Sequence, residues 1–175
     1  NNAKDAKAAV ISSDSLVYGS LVGSRKHNYN QQEVGERVER FSQFHKTNPK
    51  LPLYVFGSIM RTPRNGEASG YEEPSYYRSY GADIFRYTVL SDKQEVEGLS
   101  KRERKERAFL EELIPQKNLS DWLGRRQKNF TANSAVANVQ LCKVVVVANA
   151  VERQLFNVPF KLPKRKLTGA SNVHG

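Results

Sequence analysis

Two apolar runs bracket the middle of this chain and limit its fold more than any other feature. In Ile84-Phe85-Arg86-Tyr87-Thr88-Val89 the residues alternate, with Ile84, Arg86 and Thr88 on one side and Phe85, Tyr87 and Val89 on the other. That period of two predicts a strand. Residues 136–147, which end in Val144-Val145-Val146-Val147, read as a second, buried strand. The residues between them read mostly helical. The expected fold class is α+β: a β-α-α-β module over residues 80–147, within a βαββαβ-like order for the whole chain, carrying extended N- and C-terminal arms.

The remaining segments are read around that module. Residues 1–30 form the expected N-terminal arm, because Gly19 and Gly23 weaken both helix and ladder between short apolar groups. The start, Asn1-Asn2-Ala3-Lys4-Asp5, reads as a trimmed end without an apolar signal core. Residues 31–79 hold a helix, a strand and a long loop. The helix, 31–47, has Asn30 as N-cap, Glu33 three residues on, and an apolar stripe of Val34, Val38, Phe41 and Phe44. A strand over residues 51–60 follows, with Pro52 at its start. The loop over 61–79 interleaves Arg61, Arg64 and Arg78 with Tyr71, Tyr76, Tyr77 and Tyr80 just beyond, a composition suited to stacking on a partner.

Within the module, Ser100 and Glu103 predict a capping box for a helix over 101–114, charged in its first turns and core-forming at Phe109, Leu110, Leu113 and Ile114. Another helix runs through Trp122, Arg125 and Arg126. Residues 148–175 read as a basic extended tail that includes Lys164 and Arg165.

Charge points to the class of partner. Twenty-eight Lys and Arg against eighteen Asp and Glu give a net charge of +10, a field that draws anionic partners. No run approaches the roughly 18 apolar residues of a membrane span. The single cysteine, Cys142, excludes an internal disulfide framework, and the scattered His27, His45 and His174 argue against a metal site. Catalytic motifs are also lacking. Gly57-Ser58 after a strand is similar to the start of a nucleotidyltransferase site, but no pair of carboxylates follows at close spacing to hold magnesium. Neither a phosphate-binding Gly-Lys-Ser loop nor a nucleophile elbow occurs. The expectation is a binding protein and no enzyme.

Residues 80–141 carry a resemblance. The strand-like Ile84 to Val89, a Gly-Leu turn into an Arg-rich helix, Leu113-Ile114-Pro115, then Trp122-Leu123 with Arg125-Arg126-Gln127 and Val136-Ala137-Asn138-Val139-Gln140-Leu141, together resemble the CpcD-like linker domain of phycobilisomes, found in rod-capping and allophycocyanin core linkers. The resemblance implies a structural linker that binds acidic phycobiliprotein α and β subunits, on the stromal or cytoplasmic face of a chloroplast or cyanobacterial thylakoid. No cofactor of its own is implied; the bilins, phycocyanobilin or phycoerythrobilin, belong to the partner subunits, with Cys142 as a conceivable attachment point. Under that reading Arg61, Arg64, Tyr71, Tyr76, Tyr77, Arg78, Tyr80, Arg86, Trp122, Arg125, Arg126, Lys164 and Arg165 contact the partner, while Phe85, Phe109, Leu113 and Val145 hold the module together. The alternative is a basic RNA- or DNA-binding protein of organellar ribosomal or viral coat type, since a βαββαβ order also belongs to ferredoxin-like RNA binders. Charges of both signs on residues 101–112 favour a protein partner over nucleic acid.

Overall fold

The computed structural model describes residues 5–64, 71–137 and the backbone of 142–147. Its centre is a strand whose residues alternate between two environments. In β2 (Leu53–Ser58) Leu53, Val55 and Gly57 are buried, whereas Tyr54 and Phe56 are exposed on the other side. β1 (Ala9–Ser12) pairs with one edge of β2 in parallel, Ala9 opposite Leu53 and Ser12 opposite Phe56. β3 (Cys142–Val147) pairs with the other, Leu53 opposite Cys142 and Ser58 opposite Val147. The three-stranded sheet therefore has the order β1-β2-β3, all parallel. Parallel neighbours cannot be joined by a tight turn, so each connection carries helices.

Between β1 and β2 lie α1 (Ser13–Tyr18), α2 (Gly23–Lys26) and α3 (Gln31–Thr47). Between β2 and β3 lie α4 (Tyr77–Val96), α5 (Lys101–Leu113) and α6 (Gln116–Ala137). The fold is mixed and mostly helical. α3 matches its sequence signals: Asn30 and Glu33 close a capping box, and Val34, Val38 and Phe41 are buried. With Val17, Tyr18, Leu53, Val55, Ala132 and Val136 they form a core beneath the sheet. α5 is likewise capped by a Ser100–Glu103 box.

Several expectations are corrected. Residues 84–89 are not a strand; they lie inside α4. The buried positions Tyr77, Gly81, Ile84, Tyr87 and Leu90 recur every three or four residues, a helical stripe longer than the six-residue alternation. The β-α-α-β order read for 80–147 is accordingly replaced by three helices and β3. The arm expected over 1–30 is in its described part ordered as β1, α1 and α2, with Gly19 at φ 89° as the left-handed cap of α1. Val136 is helical, and the described strand is Cys142–Val147.

α4, α5 and the first half of α6 enclose a second core of Tyr77, Ile84, Tyr87, Leu90, Leu99, Leu110, Ile114, Leu119 and Trp122. Here Gly81 matters, because a Cβ would stand 2.7 Å from the Tyr77 ring. Its absence lets that ring lie along the helix and stack on Trp122 at 4.5 Å. Phe109 and Leu113, expected in this core, are exposed, and Phe85 is only half-buried. Leu110 and Ile114 take the inward face of α5 instead. Because α6 gives Leu119 and Trp122 to one core and Ala132 and Val136 to the other, it ties the two together.

Candidate functional site

In open parallel sheets the strand ends, where backbone groups leave the ladder and helices begin, are the places where ligands bind. The carboxyl ends of β1 and β2 meet here through Asp14. Ser12 caps α1 by accepting the Ser15 N–H at 3.2 Å, which sets Asp14 in the first turn with 3% of its surface exposed. Asp14 Oδ2 accepts both the Ser58 N–H (2.9 Å) and the Ser58 hydroxyl (3.0 Å). Its other oxygen, Oδ1, is buried without a hydrogen bond. Burial pushes the Asp14 carboxyl up from its usual range, against the opposing pull of the two Ser58 bonds and the charge of Arg25. The approach of α1 to β2 depends on Gly57, where a Cβ would lie 2.2 Å from Ser13 Oγ and 3.0 Å from Asn133 Oδ1. Asn133 on α6 completes the junction by donating to the Ser58 carbonyl at 3.0 Å.

Tyr18 stands four residues from Asp14 on the same face of α1 and stacks on His27 at 4.6 Å; His27 in turn stacks on Tyr29 at 5.4 Å. His27 Nδ1 accepts the Tyr29 N–H at 3.1 Å, which leaves Nε2 buried without a hydrogen bond. Burial, reinforced by Lys128 and Arg125, lowers the imidazole to a pKa of about 4, so it is neutral at pH 7.

Three guanidinium groups gather alongside. Arg25 on α2 is buried and donates to Glu72 Oε2 at 2.8 Å; Arg61, just past β2, donates to the same oxygen at 2.7 Å. Arg126 lies 3.2 Å over the Trp122 ring and donates to the Arg61 carbonyl at 2.6 Å. Burial lowers its pKa to about 9, against the pull of Glu73. Glu73 itself is fully buried, 3.5 Å from Arg25, and neither of its oxygens accepts a hydrogen bond. Desolvation pushes that carboxyl up although all three arginines oppose it. Among the described residues no three His, Cys, Asp or Glu side chains are placed to hold a metal ion.

Residues 1–148 match the family model described as "Protein of unknown function (DUF4127)". The chain belongs to this family. No curated protein and no solved structure matches it.

The DUF4127 chain distributes the residues read as partner contacts among quite different environments. Arg61 and Arg126 enter the guanidinium cluster. Tyr77 and Trp122 are fully buried in the helical core, so they are packing residues and form no docking surface. Tyr76 donates to Asp121 at 2.7 Å, the carboxylate that also holds Arg125 at 2.8 Å; Arg125 further donates to the His27 carbonyl. Tyr80 packs against the helical core, and Arg86 pairs with Glu106. Arg64, Tyr71 and Arg78 remain exposed at the surface. Cys142 stands opposite Leu53 in the β3 register, and its side chain, like that of Val145, lies outside what is described, as do Lys164 and Arg165. The sequence reading passed over Asp14, Tyr18, Arg25, Glu72 and Glu73, weighed Gly57-Ser58 only as the start of a nucleotidyltransferase site, and set His27 aside with the other histidines. One local signal was available: an acidic residue three positions after the Val10-Ile11 run, among serines, is where a strand end would place a site group.

No helix among the described residues is long and apolar enough to cross a membrane.

Proposed function

We propose that this chain is a ligand-binding unit that takes a small polar molecule at the carboxyl edge of its parallel strands, with Asp14 as the recognising group. One observation carries the reading: a buried carboxyl has one oxygen locked by Ser58 while the other has no hydrogen bond. Buried polar atoms are nearly always paired, so an open acceptor at a strand end is a place held for something else. A carboxyl raised by burial also exchanges protons nearer neutrality than an ordinary one, which suits hydrogen bonding to a ligand in either protonation state.

The competing reading is a structural linker binding acidic phycobiliprotein subunits. Its support is the charge of +10 and the exposed Arg64, Tyr71 and Arg78. Both are tested by purifying the full chain and its Asp14→Asn variant from the native source and denaturing them. The released small molecules are then analysed by mass spectrometry. A polar molecule released from the wild type, and reduced about tenfold in the variant, is expected from the loss of one charge-assisted contact. Release of no such molecule overturns the proposal. Co-purifying visible bands at bilin wavelengths would install the linker reading instead, and a 260 nm peak without them a nucleic-acid partner.

A further inference from the structure

Among the described residues, the guanidinium cluster sets three arginines, Arg25, Arg61 and Arg126, against two glutamates, Glu72 and Glu73. Arg25 and Arg61 donate to Glu72, whereas Glu73 accepts no hydrogen bond. Glu72 presents a single oxygen to two arginines, at 2.8 and 2.7 Å, the arrangement guanidinium pairs adopt around the oxygen of a bound anion. Its side chain is 42% exposed, so solvent reaches this contact, whereas the Arg25 side chain is 9% exposed and the Glu73 side chain 0%.

We propose that Arg25, Arg61 and Arg126 form an oxyanion subsite for a phosphate or carboxylate group of the ligand, the Glu72 side chain standing in that group's place. The inference rests on the carboxyl-edge reading above and names the charged end of its ligand. Three features support it together. Arg25 is buried, and the Nε atoms of Arg61 and Arg126 are buried without a hydrogen bond; guanidinium nitrogens so withdrawn require an anion, and Glu72 is one that the solvent can replace. Glu73, buried 3.5 Å from Arg25 without a hydrogen bond, can in its protonated form donate to an oxyanion. The charge of Arg25 also acts on Asp14, opposing the effect of burial on that carboxyl.

The test is calorimetric titration of the full chain with inorganic phosphate and, separately, with acetate, at low ionic strength. Glu72→Gln removes the internal competitor and is expected to bind one of the two about tenfold more tightly than the wild type. Arg61→Gln is expected to bind it at least about tenfold more weakly. Melting curves establish that each variant is folded. Which anion responds separates a phosphate from a carboxylate source. Absence of binding by Glu72→Gln overturns the subsite, and so does a folded Arg61→Gln that binds like the wild type. Should Arg61→Gln not fold, the arginine Nε–H signals of Glu72→Gln decide: Arg25 and Arg61 shift on phosphate or acetate addition if the subsite exists, and stay fixed if it does not. Loss of anion binding while the Asp14-dependent molecule is still released removes this inference alone. Anion binding without any Asp14-dependent molecule upholds the subsite and removes the wider reading.

Discussion

The sheet half and the helical half of the molecule treat their polar groups in opposite ways. On α4 and α5 the charged side chains find one another: Arg86 holds Glu106 with two bonds of 2.7 and 2.9 Å, Lys93 meets Glu103 at 2.6 Å, and Arg107 donates to Tyr87. Around the sheet edge, Asp14 Oδ1, His27 Nε2 and both oxygens of Glu73 are buried with no hydrogen bond. The helical half holds such atoms too: Asp92 Oδ2 lies on α4 away from that cluster, whereas Trp122 Nε1 belongs to the ring that carries Arg126. Unpaired buried groups cost stability, so a fold that collects them at one edge tolerates them for a use. The helical half reads as scaffold and the sheet edge as site.

The largest expected effect tests the scaffold side. Trp122 is fully buried, stacks on Tyr77 and carries Arg126 on its other contact. Trp122→Ala should cost about 3–5 kcal/mol in urea unfolding. A loss near 1 kcal/mol would mean that the helical core does not depend on this ring, and the division into scaffold and site would weaken.

A smaller effect probes the site side through pH. The His27 imidazole is lowered to about 4 in the fold, against about 6.5 in the unfolded chain. As pH falls, the unfolded state therefore binds the proton first, and native stability is lost from about pH 6.5 down to about pH 4. The loss is on the order of 2–3 kcal/mol. Asp14 and Glu73 act with the opposite sign, because their raised carboxyls take up protons in the fold first and gain stability as pH falls. His27→Phe keeps a ring between Tyr18 and Tyr29 and removes only the first contribution. Its stability should fall less than that of the wild type over this window, read from urea midpoints at pH 7 and pH 4. Equal slopes for the two proteins would place His27 in a better-hydrated environment than the stacked pair implies.

Legibility in the sequence follows the same division. α3 and α5 could be read because capping boxes and apolar stripes are local signals, complete within one helix. β2 could be read because the largely apolar run of residues 51–60, with Pro52 at its start, is complete within one segment. α4 was misread because Ile84 to Val89 happens to alternate, and the stripe that decides the matter runs from Tyr77 to Leu90, beyond the window that suggested a strand. The linker resemblance leaned on that same segment. At the sheet edge no local pattern exists: Asp14 meets Ser58 across 44 positions, Arg25 meets Glu72 across 47, and Arg126 meets Arg61 across 65. Aromatic and basic residues in one long loop suggested a surface, yet Tyr77 was taken inside by packing, as was Trp122, which the linker resemblance had set against a partner. Burial is decided by the whole fold, which neither residue type nor the resemblance could supply.

The smallest expected effect separates pairing that only solubilises a helix from pairing that builds a site. Arg86 and Glu106 meet at the surface, with 44% and 37% of their side chains exposed, so solvent screens the attraction and both chains lose freedom by pairing. A double-mutant cycle with Arg86→Gln and Glu106→Gln, read from urea unfolding, should give a coupling of about 0.5 kcal/mol or less. That coupling should fade as salt is raised to about 1 M, where charges are screened within about 3 Å. A coupling of about 2 kcal/mol, unmoved by salt, would show that this pair is withdrawn from water after all. α4 and α5 would then join the sheet edge as a place where charge is held at a cost, and the simple assignment of scaffold to one half and site to the other would fail.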